Sequence, residues 1–123
     1  MSVFRENEYA TYHIQDDILH VVYKFGTSIN LPIAIRIVED RLAVQEGLAF
    51  KVLCDIRGVS QINKAARDYL AIEGSVLVLA TAFIIGQTVT KALSEFYLQI
   101  NKPPVPSKTF TDWEAAKTYL REF

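Results

Sequence analysis

The densest group of chemically able side chains lies between positions 55 and 67. Asp55 sits near the end of the apolar run Phe50–Ile56, and Arg57, Ser60, Asn63, Lys64 and Arg67 follow it. Carboxylate, guanidinium, hydroxyl, amide and ammonium groups this close together suit recognition of a polar partner through charge and hydrogen bonding. They suit catalysis less well. An acid–base site needs convergent groups in defined roles, and Asp55 with Lys64 is the one pair on offer. The same residues also have a plain structural reading: Asp55 and Asn63 tie down a turn, Lys64 and the Arg67-Asp68 pair are solvated surface, and Gly58 serves backbone geometry. No phosphate-binding glycine motif accompanies them.

Two other groups carry chemistry in principle. Cys54 is the single cysteine. It stands inside the apolar run without a neighbouring base, so it reads as a small buried hydrophobe. His13 and His20 lie on either side of Asp16-Asp17. A two-residue turn there sets Gln15 opposite Ile18 and therefore His13 opposite His20. Two imidazoles begin a metal site, but the local sequence supplies no third ligand. The expectation is a pair of surface or edge histidines, with no metal and no cofactor.

The apolar content offers a third possibility. Tyr23 and Phe25 end one apolar run, Phe83 ends another, and Phe96 and Tyr97 fall on a helical segment. Together they could line a pocket for a fatty or aromatic ligand. They could also be core, or the seam between two copies of the chain, so a homodimer is a further expectation.

Composition narrows the classes. The chain has 123 residues, of which 13 are Lys or Arg and 14 are Asp or Glu, for a net charge of −1. That length fits one domain spanning residues 1–123, large enough to hold a core without disulfides or metal. Nucleic-acid binding needs a basic excess that is missing. The apolar run Val76–Ile85 is shorter than the ~20 residues that cross a bilayer. With one cysteine and no apolar leader, a reducing, cytoplasmic setting is expected, without integral membrane association.

The elements that must position these residues follow from periodicity. Tyr9–Gln15 and Ile18–Lys24 predict a hairpin. A helix starts near Asn30 and Pro32, with Leu31, Ile35, Val38 and Leu42 as its buried stripe and Arg36, Glu39 and Asp40 on the wet side. Gly47 ends it. Phe50–Ile56 is a strand, Asn63 caps a helix reaching about Val76, and Leu79–Ile85 is a second buried strand. Residues 87–100 read as a helix, with Val89, Leu93, Phe96 and Ile100 on one face and Lys91 and Glu95 as a surface pair. Ser107–Phe110 is a short strand, and Thr111 with Glu114 predicts a capping box on a final helix whose Trp113, Ala116 and Leu120 face inward. The order β-β-α-β-α-β-α-β-α predicts an α/β fold: a mixed sheet with an N-terminal hairpin and helices packed against it.

The segment Asp55-Ile56-Arg57-Gly58-Val59, with Ala66–Leu70, the run Leu98-Gln99-Ile100-Asn101-Lys102-Pro103-Pro104-Val105-Pro106, and Phe110-Thr111-Asp112, resembles a bacterial group of small SpoIIAA-like proteins. That group is related to STAS domains and to the SEC14 lipid-binding fold. The resemblance implies a regulatory, non-catalytic domain that binds a protein partner. In STAS anti-sigma-factor antagonists a serine at the start of the helix after this loop is phosphorylated. Here that position falls on Lys64, so the resemblance implies a module without that serine switch. The SEC14 side of the resemblance implies an alternative, a carrier or sensor of an apolar small molecule.

Overall fold

The computed structural model describes residues 3–86 and 103–123. Six strands form one sheet: β1 (Val3–Glu6), β2 (Ala10–Gln15), β3 (Ile18–Tyr23), β5 (Phe50–Asp55), β7 (Val78–Ile84) and β8 (Ser107–Phe110), hydrogen-bonded in that spatial order. The pairs β1–β2 and β2–β3 are antiparallel, and β3–β5, β5–β7 and β7–β8 are parallel. Helices α1 (Leu31–Gln45) and α2 (Lys64–Ile72) lie in the crossovers, and α3 (Trp113–Leu120) follows β8. This is the α/β mixed sheet expected, with helices packed on it. The helix predicted over 87–100 lies outside the described residues.

Pleating sorts the core into two layers. Tyr12, Leu19, Val21, Tyr23, Val52 and Cys54 pack with Ile37 and Val44 of α1 and Ala66 of α2. Ile18, Leu53, Ala80, Ala82 and Ile84 point the other way, onto Ala116 and Leu120 of α3. Apolar cover on both faces removes the polar alternation from the central strands, as parallel strands require.

The hairpin forms as expected. Asp16 and Asp17 take φ of 55° and 63°, the left-handed pair that matches strand twist in a two-residue turn. It pairs Gln15 with Ile18 and His13 with His20. Three strands go beyond the expected order. β1 adds a second antiparallel strand at the sheet edge, and β4 (Thr27–Ile29) and β6 (Val59–Ile62) form a separate two-stranded parallel sheet. These three segments show too little periodicity to be read; their pairing is a tertiary event.

Several local expectations need correction. In α1 the buried residues are Ala34, Ile37, Val38, Asp40, Arg41, Val44 and Gln45, whereas Leu31 is 37% exposed. The stripe is rotated because three polar residues are buried by hydrogen bonding, which apolar spacing cannot register. Asp40 in particular is not on the wet side. Asn30 does cap α1, accepting from the Ile33 N–H at 3.0 Å. The chain leaves α1 through left-handed Glu46 and Gly47. Asn63 caps α2, accepting from the Ala66 N–H at 2.9 Å, but α2 stops at Ile72 and a 3₁₀ turn covers Glu73–Ser75. The last helix is capped by Asp112, not Thr111: its carboxylate accepts from the N–H groups of Glu114 and Ala115 at 3.4 and 3.1 Å. A carboxylate also answers the positive end of the helix dipole, which a hydroxyl does not.

Candidate functional site

Asp55 closes β5 at the carboxyl edge of the parallel strands, where ligands of open α/β sheets bind. Its carboxylate is buried and already engaged. The Arg57 guanidinium donates to it from Nε and Nη at 3.0 and 2.7 Å, and the Arg57 N–H donates at 3.0 Å. That hydrogen bond raises the Arg57 pKa above its ordinary value. The Ser60 hydroxyl donates to the Thr27 carbonyl at 3.1 Å, joining β6 to β4. Asn63 is the α2 cap. The Lys64 ammonium donates to Asp68 at 2.7 Å on an exposed face, and Arg67 donates to the Ile62 carbonyl at 2.9 Å. The six residues therefore do share one edge, and most of their polar atoms hold that edge together. Outward reach is left to Arg57 and Lys64, whose side chains are 45% and 79% exposed.

The apolar candidates divide differently. Tyr23 and Phe83 line a partly open cavity of about 120 Å³ between the sheet and helices α1 and α2. Phe25 does not: it is 89% exposed in the turn before β4. A side chain at that turn has no element above it, so its apolarity does not place it inside. Phe96 and Tyr97 lie outside the described residues. The cavity is walled by Val21, Val52, Cys54 and Thr81 from the sheet, Ile37, Val38 and Arg41 from α1, and Leu70 from α2, with Ile56, Val59 and Ile62 near the carboxyl edge. Burial pushes the Cys54 thiol up to about 12, so the thiol in this wall is protonated and inert.

Arg41 and Gln45 are the residues the sequence did not reveal. Both are nearly inaccessible, 5% and 1% exposed. The Arg41 guanidinium donates to Gln45 and to the carbonyls of Val76, Glu73 and Gly74, the last three at 3.0, 3.4 and 3.3 Å. Gln45 donates to the carbonyls of Leu48 and Leu77 at 2.9 and 2.8 Å. They clamp α1 onto the turn that ends α2. No sequence signal marks them, since a charged residue at helical spacing reads as solvent-facing.

On the opposite face, the His13 and His20 rings lie 6.0 Å apart and His20 stacks on Trp113 at 6.0 Å and 17°. No group of three or more His, Cys, Asp or Glu is set to hold a metal among the described residues. Burial lowers the His20 pKa from 6.5; Lys117 and His13 push the same way and Asp16 opposes them. Below 6.5 the unfolded chain therefore binds a proton that native His20 resists, so stability falls as pH drops through 6.5. Thermal melts across this range should show that slope, and His20→Phe, which retains an aromatic ring against Trp113, should flatten it. An unchanged slope would assign it to other groups.

A family model described as a domain of unknown function (DUF7793) matches residues 12–123. The chain belongs to this family. The match takes in β2 onward and so includes both the Asp55 edge and the cavity. No curated protein matches the chain. Among solved structures, an uncharacterized protein from the DUF3478 family with a SpoIIAA-like fold, from Shewanella loihica PV-4, is similar with a TM-score of 0.51 and 18% sequence identity, over 98% of this chain and 92% of that one. At that identity the likeness shows the fold alone, and the DUF7793 domain shares the SpoIIAA-like arrangement. No helix among the described residues is long and apolar enough to cross a membrane.

Proposed function

We propose that this DUF7793 domain is a non-catalytic binding module whose ligand is a small apolar molecule held between the sheet and helices α1 and α2. The observation that carries the reading is the cavity of about 120 Å³ walled by Val21, Val52, Ile37, Leu70 and Phe83. Native interiors pack as densely as organic crystals and leave few voids larger than a water molecule. Apolar cavities near 150 Å³ stay dry and take up molecules such as benzene. A hydrophobic recess with few polar groups is the usual form of a small-molecule site. The SpoIIAA-like fold is compatible with this role and does not dictate it.

Uptake of the neutral fluorophore 1-aminoanthracene, together with native mass spectrometry of freshly purified protein, tests the reading. The fluorophore should bind with a blue-shifted emission, and Thr81→Trp, which puts an indole at the cavity wall, should abolish binding while the protein still melts cooperatively. No uptake and a clean apo mass would overturn it.

A protein-interaction role at the Asp55–Arg67 edge is the second reading. Its support is the exposure of Arg57 and Lys64 at one edge, both held in place by ion pairs to Asp55 and Asp68. On that reading recognition rests on surface complementarity and not on a serine phosphate, because Lys64 occupies the first position of α2. A partner or a second copy of the chain would then be met by two fixed cationic groups, with Ser60 and Asn63 setting the shape of the edge.

A further inference from the structure

Among the described residues, the cavity wall contains one full charge. Arg41 lines it from α1, at the end where Gly74, Ser75 and Val78 also line it. The side chain is 5% exposed, and among the described residues no carboxylate pairs with it. The neighbouring acid, Asp40, points away and is taken by Asn7, Arg36 and Arg5. What meets the guanidinium is Gln45 and three backbone carbonyls, two of them at the long distances of 3.4 and 3.3 Å. These dipoles solvate part of the charge, as a helix carboxyl end does for a cation. They do not neutralise it, and burying an unpaired ion is costly.

The shape of the cavity completes the picture. Its lining runs along β7 from Val78 to Phe83, which at about 3.3 Å per residue is roughly 16 Å. Tyr23, Val59 and Ile62 sit toward the carboxyl edge, and the cation lies at the other end. An elongated apolar slot with a buried guanidinium toward one end matches a molecule with an apolar tail and one anionic head. Gln45 and Val76 occupy Nη1, whereas the two contacts of Nη2 are the long ones, so the Nε–Nη2 edge is the one that would receive a planar carboxylate with two parallel hydrogen bonds.

We propose that the ligand is a small apolar carboxylic acid, lying along the sheet with its carboxylate on Arg41. The proposal rests on the cavity reading above and adds the head group. In the bound state the carboxylate supplies the counter-charge that no described residue supplies, and the tail covers Val21, Val52 and Phe83. The acid's tail end lies toward the Asp55 edge.

Isothermal titration of the full chain at neutral pH with octanoate, 1-octanol and octylammonium separates the alternatives. Octanoate should bind at least about tenfold tighter than 1-octanol, the least that a charge-assisted hydrogen bond in a buried site would give. Octylammonium should not bind. Arg41→Met should erase the preference of acid over alcohol while alcohol binding persists. If Arg41→Met does not fold, Arg41→Lys keeps the charge and loses the planar fork, and should shrink the preference. Equal binding of octanoate and 1-octanol overturns the carboxylate assignment and leaves the apolar cavity reading standing. Binding of neither, together with no 1-aminoanthracene uptake, removes both.

Discussion

Replacing Gly58 with alanine is expected to destabilise the fold by about 3 kcal/mol or more, because the added methyl group meets backbone that cannot move aside. A Cβ built on Gly58 falls against the Tyr23 carbonyl oxygen and within 2.7 Å of both the carbonyl carbon and oxygen of Lys24. The two turns are locked at this approach: the Gly58 carbonyl accepts from the N–H groups of Gly26 and Thr27 at 2.9 and 3.2 Å. To admit the methyl group, the end of β3 must separate from the β5–β6 turn, breaking those bonds and loosening the small β4–β6 sheet. The melting temperature should fall by about 10 °C. Tyr23 and Val59 both line the cavity, so ligand uptake should weaken with the loss of stability. Gly74→Ala is the matched control. Its Cβ would meet only Leu70 side-chain carbons at 3.6 Å, an ordinary contact. It should change stability by less than about 1 kcal/mol, with less chain entropy in the unfolded state working in its favour. Equal effects at the two glycines would mean that the Gly58 approach is not tight.

The second large effect is expected at Asn7, where Asn7→Ala should cost about 3 kcal/mol by urea unfolding. Asn7 is buried and uses its amide completely. It donates to the Tyr12 hydroxyl at 3.2 Å and to Asp40 at 2.7 Å, and it accepts from the N–H groups of Tyr9 and Ala10 at 2.7 and 2.9 Å. The Tyr12 hydroxyl in turn donates to the Ile37 carbonyl at 3.1 Å, so one amide joins the β1–β2 turn to α1. Truncation takes one partner each from a buried hydroxyl and a buried carboxylate and leaves the Tyr9 and Ala10 N–H groups without the acceptor that holds them. Asn7→Asp tests the electrostatics through its sign. In the wild type, burial raises the Asp40 pKa, but hydrogen bonds from Asn7, Arg36 and Arg5 outweigh it and hold the group below its ordinary value. The wild type therefore loses stability as pH falls below the usual carboxylate range. A second carboxylate at position 7 faces Asp40 and makes one of the two hard to ionise. That variant should regain stability as pH falls, opposite to the wild type. Parallel pH profiles for the two proteins would remove Asn7 from contact with Asp40.

Much of the fold was legible because it rests on local rules. Alternation and the Asp16-Asp17 pair predicted the hairpin and its register, which put His13 opposite His20. Asn30 and Asn63 stood where helices begin, and both cap them. The unbroken apolar runs predicted central strands covered on both faces, as Leu53 and Val52 pointing to opposite layers now illustrate. Where a local rule had two answers, the wrong one could be chosen: Thr111 and Asp112 are adjacent capping residues, and only the direction of the chain entering α3 selects Asp112.

The candidate site was legible in position and not in content. Asp55, Arg57, Ser60, Asn63, Lys64 and Arg67 do gather at one edge, since the strand–turn–helix order requires it. Whether their polar atoms face outward or bind one another depends on side-chain geometry, and here most bind within the edge. The sequence by itself determined the sheet, its two apolar faces and the edge at which Asp55 emerges, because periodicity and capping act over a few residues. Only the tertiary structure decided that β1, β4 and β6 pair, that Asp40, Arg41 and Gln45 go inside, and that a cavity opens beneath α1 with a cation in its wall. The reason is physical: a polar residue is buried when distant groups satisfy it, as the carbonyls of Glu73, Gly74 and Val76 do for Arg41 more than thirty positions away, and no pattern within α1 announces those partners.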